Sequence, residues 1–309
     1  MKYLSLILSI LISIFFLEFF VRFYIDDGLN YEIEMMKYAN QLKIISKNKD
    51  IGIEHKKNKK GIYMGAELNL NSKGFRSNGE FKKNSKKILM LGDSMTLGWG
   101  ARAPFPNILN DKFINYEVIN AGIGNTNTIM QIENFFVNFK DEYNYKIIIL
   151  NFFINDFEDI KINKPNFFQR YSFLYTYVLN NLNTILIKFE INKKWDKFYS
   201  DSYKNEEIKE KVFKKILKLK NYCDQNNIRL IIHNIPELRD LKNYKFENET
   251  RIIKEFSNNN DIKFINSHEA LINYKESDLW VTKADSHAND KAHKIIAEFV
   301  NSKVEEYLD

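Results

Sequence analysis

The sequence contains five short apolar runs, separated by segments long enough to form helices. The runs are KILML, YEVIN, KIIILNFF, IRLIIHNI and IKFIN, at residues 87–91, 116–120, 146–153, 228–235 and 262–266. Short runs rich in Ile, Leu, Val and Phe are typical of parallel strands, because helices cover both faces of such a sheet. The alternation therefore predicts a doubly wound α/β sandwich.

The amino-terminal segment carries a long apolar stretch. Residues 3–17 contain no charged side chain, and only Glu18 and Arg22 interrupt the apolar run that continues to Ile25. About 20 apolar residues span a bilayer, and Glu18 and Arg22, four residues apart on one helical face, are expected to pair near its far end. No small-residue cleavage site follows, so residues 1–26 are predicted to be a retained transmembrane signal anchor.

The charges that flank this stretch predict its orientation. Lys2 precedes it, whereas Asp26, Asp27, Glu32 and Glu34 follow it. Because lysine and arginine favour the cytoplasmic side of a membrane, we expect a single-pass anchor with the rest of the chain outside the cytoplasm.

Beyond the anchor the sequence divides into two further parts. Residues 27–84 are polar and mixed, with turn-like NSKG and RSNGE motifs, and are predicted to form a stalk with a short β segment. Residues 85–309 carry the strand and helix alternation and are predicted to be the main domain. Within it, residues 157–205 are too long for an ordinary connection, so they form either a lid or substrate wall or a helical packing excursion.

Charge and cysteine content exclude several classes of function. The chain has 46 Lys and Arg against 40 Asp and Glu, and its one dense basic run is HKKNKK at residues 55–60. Stacking aromatic side chains do not interleave with these lysines, so we expect a solvated loop and no nucleic-acid partner. The single cysteine, Cys223, excludes an intrachain disulfide and a cysteine metal cluster.

Polar motifs follow the predicted strands, at the edge where a doubly wound sheet places its active crevice. GDSMTLGWG, AGIGNTNT and IND follow the first three strands, at residues 92–100, 121–128 and 154–156, and ADSHAND (284–290) precedes the last helix. Ser94 would lie where a strand turns into a helix, so its N–H points towards an oxyanion formed by attack on an acyl carbon. The motif is not the G-x-S-x-G elbow of α/β-hydrolases, because Thr96 occupies the second glycine position.

GDSMTLGWG after an apolar strand resembles the first signature block of the SGNH/GDSL hydrolases, and the other blocks follow in the family's order. VINAGIGNTNT (118–128) resembles the second block, whose glycine donates a backbone N–H to the oxyanion; Asn125 stands at that position and Gly124 precedes it, so both are candidates. FFINDFED (152–159) resembles the third block, whose asparagine matches Asn155. The resemblance implies an oxyanion hole made by Ser94, by Gly124 or Asn125, and by Asn155. It also implies a flavodoxin-like α/β/α sandwich with a mainly parallel five-stranded sheet.

The last block of the family has an aspartate three residues before a histidine. In this chain Asp285 stands two residues before His287, and alanine replaces the proline that usually follows. The resemblance implies that Ser94 is the nucleophile, that His287 accepts its proton and that Asp285 orients the imidazole. His293 has no partner at metal-ligand spacing, so the sequence predicts no metal site, and no other cofactor is expected.

These features predict a membrane-anchored serine esterase or O-acyltransferase that acts on acyl groups, such as acetyl, of cell-surface polysaccharide. The anchor, the outward orientation and an aromatic insertion suited to stacking on sugars support this hypothesis. Two alternatives stay open. One is a lysophospholipase or thioesterase acting on lipid acyl esters, if the insertion faces the bilayer. The other is a non-catalytic glycan-binding or assembly module, suggested by the shifted Asp285 and by Asn125.

Overall fold

A five-stranded parallel sheet forms the centre of the protein in the computed structural model, which describes residues 2–308. The strands are β1 (Lys43–Ile45), β2 (Ile53–His55), β3 (Lys59–Tyr63), β4 (Ala66–Leu70), β5 (Lys86–Leu91), β6 (Tyr116–Asn120), β7 (Asn144–Phe152), β8 (Arg229–Asn234), β9 (Lys263–Asn266), β10 (Trp280–Thr282) and β11 (Asp285–Ala288). The α-helices are α1 (Lys2–Phe20), α2 (Tyr31–Leu42), α3 (Ser94–Leu97), α4 (Phe105–Lys112), α5 (Thr128–Asn134), α6 (Phe167–Tyr171), α7 (Phe173–Lys188), α8 (Trp195–Ser202), α9 (Glu206–Gln225), α10 (Glu247–Asn259), α11 (His268–Leu271) and α12 (Asp290–Val304).

The central sheet has the strand order β6-β5-β7-β8-β9, and every neighbouring pair is parallel. Counted along the chain, this is the 2-1-3-4-5 order of flavodoxin-like folds. The middle strands are buried on both faces, as Leu89, Ile148 and Ile231 show with no exposed surface. The predicted fold class is therefore confirmed, and each of the five predicted strands lies within two residues of its predicted bounds.

Residues 27–84 form a helix and two β-hairpins that pack on the main domain. Helix α2 begins after Asn30, whose side chain accepts a hydrogen bond from the Ile33 N–H at 3.2 Å, and acidic residues occupy its first turn. The hairpins are the antiparallel pairs β1/β2 and β3/β4. Tyr38 of α2 and Tyr63 of β3 bury their rings against Trp99, which follows α3. This aromatic cluster fixes α2 beside the carboxyl edge of the central sheet.

The amino-terminal helix stands away from this body. Helix α1 continues through a π-helical turn, Val21–Ile25, and among residues 2–308 only Lys2–Ile25 is long and apolar enough to cross a membrane. Almost all of its side chains are exposed. The predicted pairing of Glu18 with Arg22 is confirmed, with the carboxylate and guanidinium 2.7 Å apart.

The insertion at residues 157–205 is helical and contains α6, α7 and α8. Helix α7 packs against α2 through Phe173 and Tyr177, and the Thr176 hydroxyl contacts the Met36 sulfur at 3.3 Å. The insertion thus lies beside α2 and the end of α1, at the edge of the molecule that carries the polar motifs.

Candidate active site

Ser94 lies at the turn between β5 and α3. Asp93 caps this helix, because its Oδ1 accepts a hydrogen bond from the Met95 N–H at 2.8 Å. Ser94 is therefore the first helical residue, and it is only 6% exposed. Its N–H makes no hydrogen bond to any group of residues 2–308, which leaves it available as a donor.

A chain of hydrogen bonds joins Ser94 to His287 and Asp285. The Ser94 Oγ lies 2.8 Å from the His287 Nε2, within the range expected for a nucleophile and its base. The His287 Nδ1 donates to the Asp285 Oδ1 at 2.5 Å, so Nε2 carries the lone pair that can receive the serine proton. The second carboxylate oxygen, Oδ2, accepts from the Trp99 indole N–H at 3.1 Å.

The two-residue spacing between Asp285 and His287 has a simple structural explanation. Both residues lie on β11, which pairs antiparallel with β10. Residues i and i+2 of a strand point to the same face, so the carboxylate and the imidazole lie side by side. The departure from the three-residue spacing of the related family thus still allows the carboxylate to contact the imidazole.

The electrostatics of this pair favour a basic imidazole. Burial alone would lower the pKa of His287, but the charge and hydrogen bond of Asp285 outweigh it and raise that pKa above its ordinary value. Burial opposes ionisation of Asp285, yet the same interactions, together with Trp99, lower its pKa. The carboxylate is therefore charged at neutral pH and stabilises an imidazolium when one forms.

The loop after β6 brings Gly124 and Asn125 next to Ser94. A side-chain carbon added at Gly124 would lie 3.7 Å from the Ser94 Cβ. The loop approaches α3 closely at Gly122, where an added Cβ would lie 2.2 Å from the Leu97 backbone nitrogen, so no other residue fits there. The loop at Gly124 therefore lies close to Ser94.

Gly124 and Asn125 differ in the availability of their N–H groups. The Gly124 N–H donates to the Tyr38 hydroxyl at 3.2 Å. This hydroxyl in turn lies 2.6 Å from the Nε2 of buried His55, whose Nδ1 donates to the Gly74 carbonyl oxygen. The Asn125 N–H makes no hydrogen bond within residues 2–308.

Asn125 adopts the left-handed conformation, with φ of 62°, which asparagine tolerates better than most residues. Its side-chain oxygen accepts a hydrogen bond from the Lys43 ammonium at 3.1 Å, and the same ammonium donates to the Gly124 carbonyl oxygen. Burial without a carboxylate partner lowers the pKa of Lys43 to about 7. Of the two residues, Asn125 is the one whose backbone N–H has no partner within residues 2–308.

Asn155 lies in the helical turn Ile154–Phe157, directly after β7. Its Nδ2 donates to the Asp93 Oδ2 at 3.0 Å, which places the amide beside the residue that precedes Ser94. An amide nitrogen has two hydrogens, so the second remains available to a substrate. Burial raises the pKa of Asp93, and the hydrogen bond from Asn155 partly offsets this effect because it stabilises the charged carboxylate.

Three aromatic residues around the site, Tyr31, Tyr38 and Trp99, were not predicted from the sequence. Tyr31, the first residue of α2, stacks on the His287 imidazole with ring centres 5.7 Å apart and an angle of 25° between the planes. Tyr38 holds the Gly124 loop, and Trp99 holds Asp285. A signal was present in the sequence, because Tyr31, Met35, Tyr38 and Leu42 have the spacing of one helical face.

The remaining histidines have structural contacts. His233 is buried between the Asn151 side-chain oxygen and the Ser267 hydroxyl, at 2.8 and 2.6 Å. The buried His293 accepts a hydrogen bond from the Phe105 N–H through its Nδ1. His268 contacts a backbone carbonyl oxygen at 2.7 Å.

A hydroxyl, an imidazole and a carboxylate in series, beside amide donors at the carboxyl edge of a parallel sheet, form the arrangement that serine hydrolases use. Residues 88–300 match the family model of the GDSL-like lipases and acylhydrolases. The chain belongs to this family, whose membership supports an esterase or acylhydrolase activity. The matched range contains Ser94, Asp285 and His287 and excludes the segment that supplies Tyr31 and Tyr38.

Two solved structures represent the proteins that this chain is similar to. A member of the lipolytic G-D-S-L family from Veillonella parvula is 15% identical, with 71% of this chain and 97% of that one covered and a TM-score of 0.44. An acetyl xylan esterase is also 15% identical, with 71% and 99% covered and a TM-score of 0.45. No curated protein sequence matches the chain.

Proposed function

We propose that this protein is a membrane-anchored serine esterase or O-acyltransferase in which Ser94, His287 and Asp285 form the catalytic triad. The observation that carries the proposal is the continuous series of hydrogen bonds, 2.8 Å from Ser94 to His287 and 2.5 Å from His287 to Asp285. The corresponding organisation is residues 1–26 as anchor and 85–309 as the hydrolase domain, with the catalytic domain outside the cytoplasm. Residues 27–84 were expected to form a stalk with a short β segment; instead of a free stalk we propose a segment that packs beside the site.

The reaction follows from the positions of these groups. The Ser94 Oγ attacks the acyl carbon while His287 Nε2 takes its proton, and the carbonyl oxygen becomes an oxyanion. The Ser94 N–H, the Asn155 amide and the Asn125 N–H stabilise that charge; Gly124 remains the alternative only if Tyr38 moves away. His287 then protonates the leaving alkoxide, and water or a sugar hydroxyl removes the acyl group from Ser94.

We propose acylated cell-surface polysaccharide, with acetyl as the acyl group, as the substrate. A cavity of about 340 Å³ lies beside Tyr31, the ring that covers His287. Its wall includes Asp27, Asn30, Glu32 and Asn180, whose side chains can bind sugar hydroxyls. An outward-facing domain on a short anchor also keeps such a site at the cell surface.

A serine-directed fluorophosphonate probe and acetate release from acetylated glycan test the proposal on the full chain. We expect labelling and acetate release by the native chain and neither by Ser94→Ala. Ser286→Ala is the matched control, because the Ser286 hydroxyl contacts Glu237 and not the triad. A folded native chain that neither labels nor releases acetate would instead support the non-catalytic binding module.

A second candidate function is hydrolysis of lipid acyl esters, and a groove beside Asn125 favours it. The groove has a volume of about 720 Å³, and no carboxylate of the described residues lines it. Its walls combine isoleucines with cations: Ile44, Ile45, Ile53, Ile160, Ile162, Lys43, Lys56, Lys161, Lys164 and Arg170. Apolar and cationic groups together suit an anionic lysophospholipid.

Substrate preference separates the two functions. If lipids are the substrate, an anionic lysophospholipid is hydrolysed faster than acetylated glycan, and Lys164→Gln with Arg170→Gln slows that hydrolysis. Lys112→Gln, at the end of α4 and outside the groove, is the control. A preference for acetyl esters that ignores these substitutions excludes the lipid function.

A further inference from the structure

Segment 27–84 contacts the loop after β6 at both backbone polar groups of Gly124. The Tyr38 hydroxyl accepts a hydrogen bond from the Gly124 N–H at 3.2 Å. The Lys43 ammonium donates to the Gly124 carbonyl oxygen and to the Asn125 side-chain oxygen, both at 3.1 Å. The family match begins at residue 88, so Tyr38 and Lys43 both lie outside the matched range. A segment that precedes this range thus holds the loop that lies close to Ser94.

The contact with Lys43 determines which way the next backbone donor points. The peptide bond between Gly124 and Asn125 is trans, so its carbonyl oxygen and its N–H lie in one plane and point in opposite directions. Because the ammonium binds the Gly124 carbonyl oxygen, the Asn125 N–H points away from Lys43. This N–H has no partner within residues 2–308. Lys43 therefore holds a free donor in one orientation.

The position of Lys43 is itself fixed by packing. It is the first residue of β1 and lies opposite His55 in the antiparallel pairing of β1 with β2. Its ammonium lies over the Tyr38 ring, 4.6 Å from the ring centre. Within residues 2–308 no carboxylate pairs with it, and burial lowers its pKa to about 7. A partly buried cation without a carboxylate partner keeps its charge available for a negative charge that develops nearby.

We propose that Lys43 is a positioning residue for the oxyanion that forms when Ser94 attacks its substrate. Its ammonium keeps the Asn125 N–H directed at the acyl oxygen, and its positive charge stabilises the negative charge on that oxygen across the same peptide. The inference rests on the proposed function, in which the oxyanion forms at Ser94. It adds to that function a dependence on a residue of segment 27–84.

The size of the effect follows from the distance between the two charges. The ammonium lies 3.1 Å from the Gly124 carbonyl oxygen, and a hydrogen bond from the Asn125 N–H to the oxyanion has a length of ~2.9 Å. With the peptide group between them, the ammonium and the oxyanion are ~8 Å apart. At an effective dielectric constant of ~20, this separation corresponds to a roughly 30-fold change in rate.

Substitution of Lys43 in the full chain tests the inference with p-nitrophenyl acetate, a small ester without a lipid chain for the groove beside Asn125. At about pH 6.5, Lys43→Met should lower kcat roughly 30-fold and change KM less than about twofold, because the negative charge develops only in the transition state. Lys43→Arg keeps the positive charge and should retain at least about a third of the native kcat. Rates are corrected for the folded fraction from thermal unfolding.

Lys37→Met is the matched control. Lys37 pairs with Asp26 and Glu34 inside the same segment and makes no hydrogen bond to the loop at Gly124. Its substitution weakens the packing of the segment but leaves the contacts of Lys43 in place. We expect Lys37→Met to keep kcat within about threefold of the native value.

The pH dependence separates the charge of Lys43 from its hydrogen bonds. Because its pKa is about 7, Lys43 loses its positive charge as the pH rises through that value, whereas arginine stays charged. The ratio of the Lys43→Arg kcat to the native kcat should therefore rise between about pH 6 and 9, and the protonation of His287 affects both proteins and cancels. Buried His55 and Tyr38 stay neutral over this range, since burial lowers the pKa of His55 to about 3 and raises that of Tyr38. The other charged side chains that line the groove with Lys43 are Lys56, Lys161, Lys164 and Arg170.

Several results would overturn the positioning role of Lys43. They are a folded Lys43→Met protein with kcat within about threefold of the native value, a higher KM at native kcat, or an equal loss of kcat in Lys37→Met. A Lys43→Arg protein as slow as Lys43→Met, or a constant ratio across the pH range, overturns the role of the charge. In all these cases Ser94→Ala still lacks activity. If Ser94→Ala keeps native activity, the proposed function itself fails, so the two failures are distinguishable.

Discussion

Replacing Asn155 by alanine removes a single predicted oxyanion donor and tests the proposed site directly. One hydrogen of the Asn155 amide goes to the Asp93 carboxyl group at 3.0 Å, and the other is free for the substrate. Loss of one such donor lowers kcat by roughly 10²- to 10³-fold, or about 3–4 kcal/mol of transition-state stabilisation. We expect KM to change little, because the charge on the carbonyl oxygen develops only in the transition state.

The same substitution also removes a partner of Asp93, so stability must be measured beside activity. The free energy of unfolding should fall by about 1–3 kcal/mol. Asn151→Ala is the matched control: the Asn151 side chain is buried, donates to the Leu91 carbonyl oxygen at 2.9 Å and accepts from His233 at 2.8 Å. It should cost as much stability or more without the specific loss in kcat.

The assay is the rate of acylation by p-nitrophenyl acetate, corrected for the folded fraction from thermal unfolding. A folded Asn155→Ala protein with kcat within about threefold of the native value refutes the oxyanion role, since even a weak donor of this kind contributes more. A fall in kcat of the same size in Asn151→Ala would instead assign the loss to general disturbance of the sheet edge.

Three further predictions concern the base, the loop and its packing. Asp285→Asn should lower kcat by roughly 10⁴-fold. The proposed reaction needs neutral His287, and because Asp285 raises the pKa of His287 above 6.5, activity should fall as the pH drops through that raised pKa. The substitution removes the charge that raises this pKa, so the fall in activity should move to lower pH. Tyr38→Phe removes one partner each from two buried groups and should lower the free energy of unfolding by about 2–4 kcal/mol; a rise in kcat would show that the Tyr38 hydroxyl competes with the oxyanion. Gly122→Ala puts a Cβ 2.2 Å from the Leu97 nitrogen and should lower the free energy of unfolding by about 3 kcal/mol or more, which appears as a lower thermal midpoint. A thermal midpoint near the native value would refute that clash.

The central sheet could be predicted because each of its strands is a continuous apolar run that can be recognised from local sequence. The run at Tyr116–Asn120 is confirmed residue for residue, and the other four shift by one or two residues at their ends. Continuous apolar runs predict such strands reliably, because both faces of a parallel strand are buried and every residue along it is therefore apolar. Segment 27–84 lacks such runs, and its helix α2 is stabilised by packing against Trp99, a contact that sequence spacing does not display.

The spacing of Asp285 and His287 illustrates the limit of motif comparison. The family pattern places the aspartate three residues before the histidine, and only the strand conformation of β11 shows why two residues suffice here. The choice between Gly124 and Asn125 likewise depends on Tyr38, more than 80 residues earlier in the chain.

The sequence alone is sufficient to predict the strand and helix alternation, the apolar amino-terminal helix, and the identity and order of the polar motifs. These are properties of short stretches, in which neighbouring residues share one conformation and one environment. Three contacts become visible in the folded protein alone: Tyr31 covers His287, the Tyr38 hydroxyl accepts the Gly124 N–H, and Glu18 caps α7. Such contacts join residues far apart in the chain, and their partners are selected by the packing of the whole molecule and not by any local pattern.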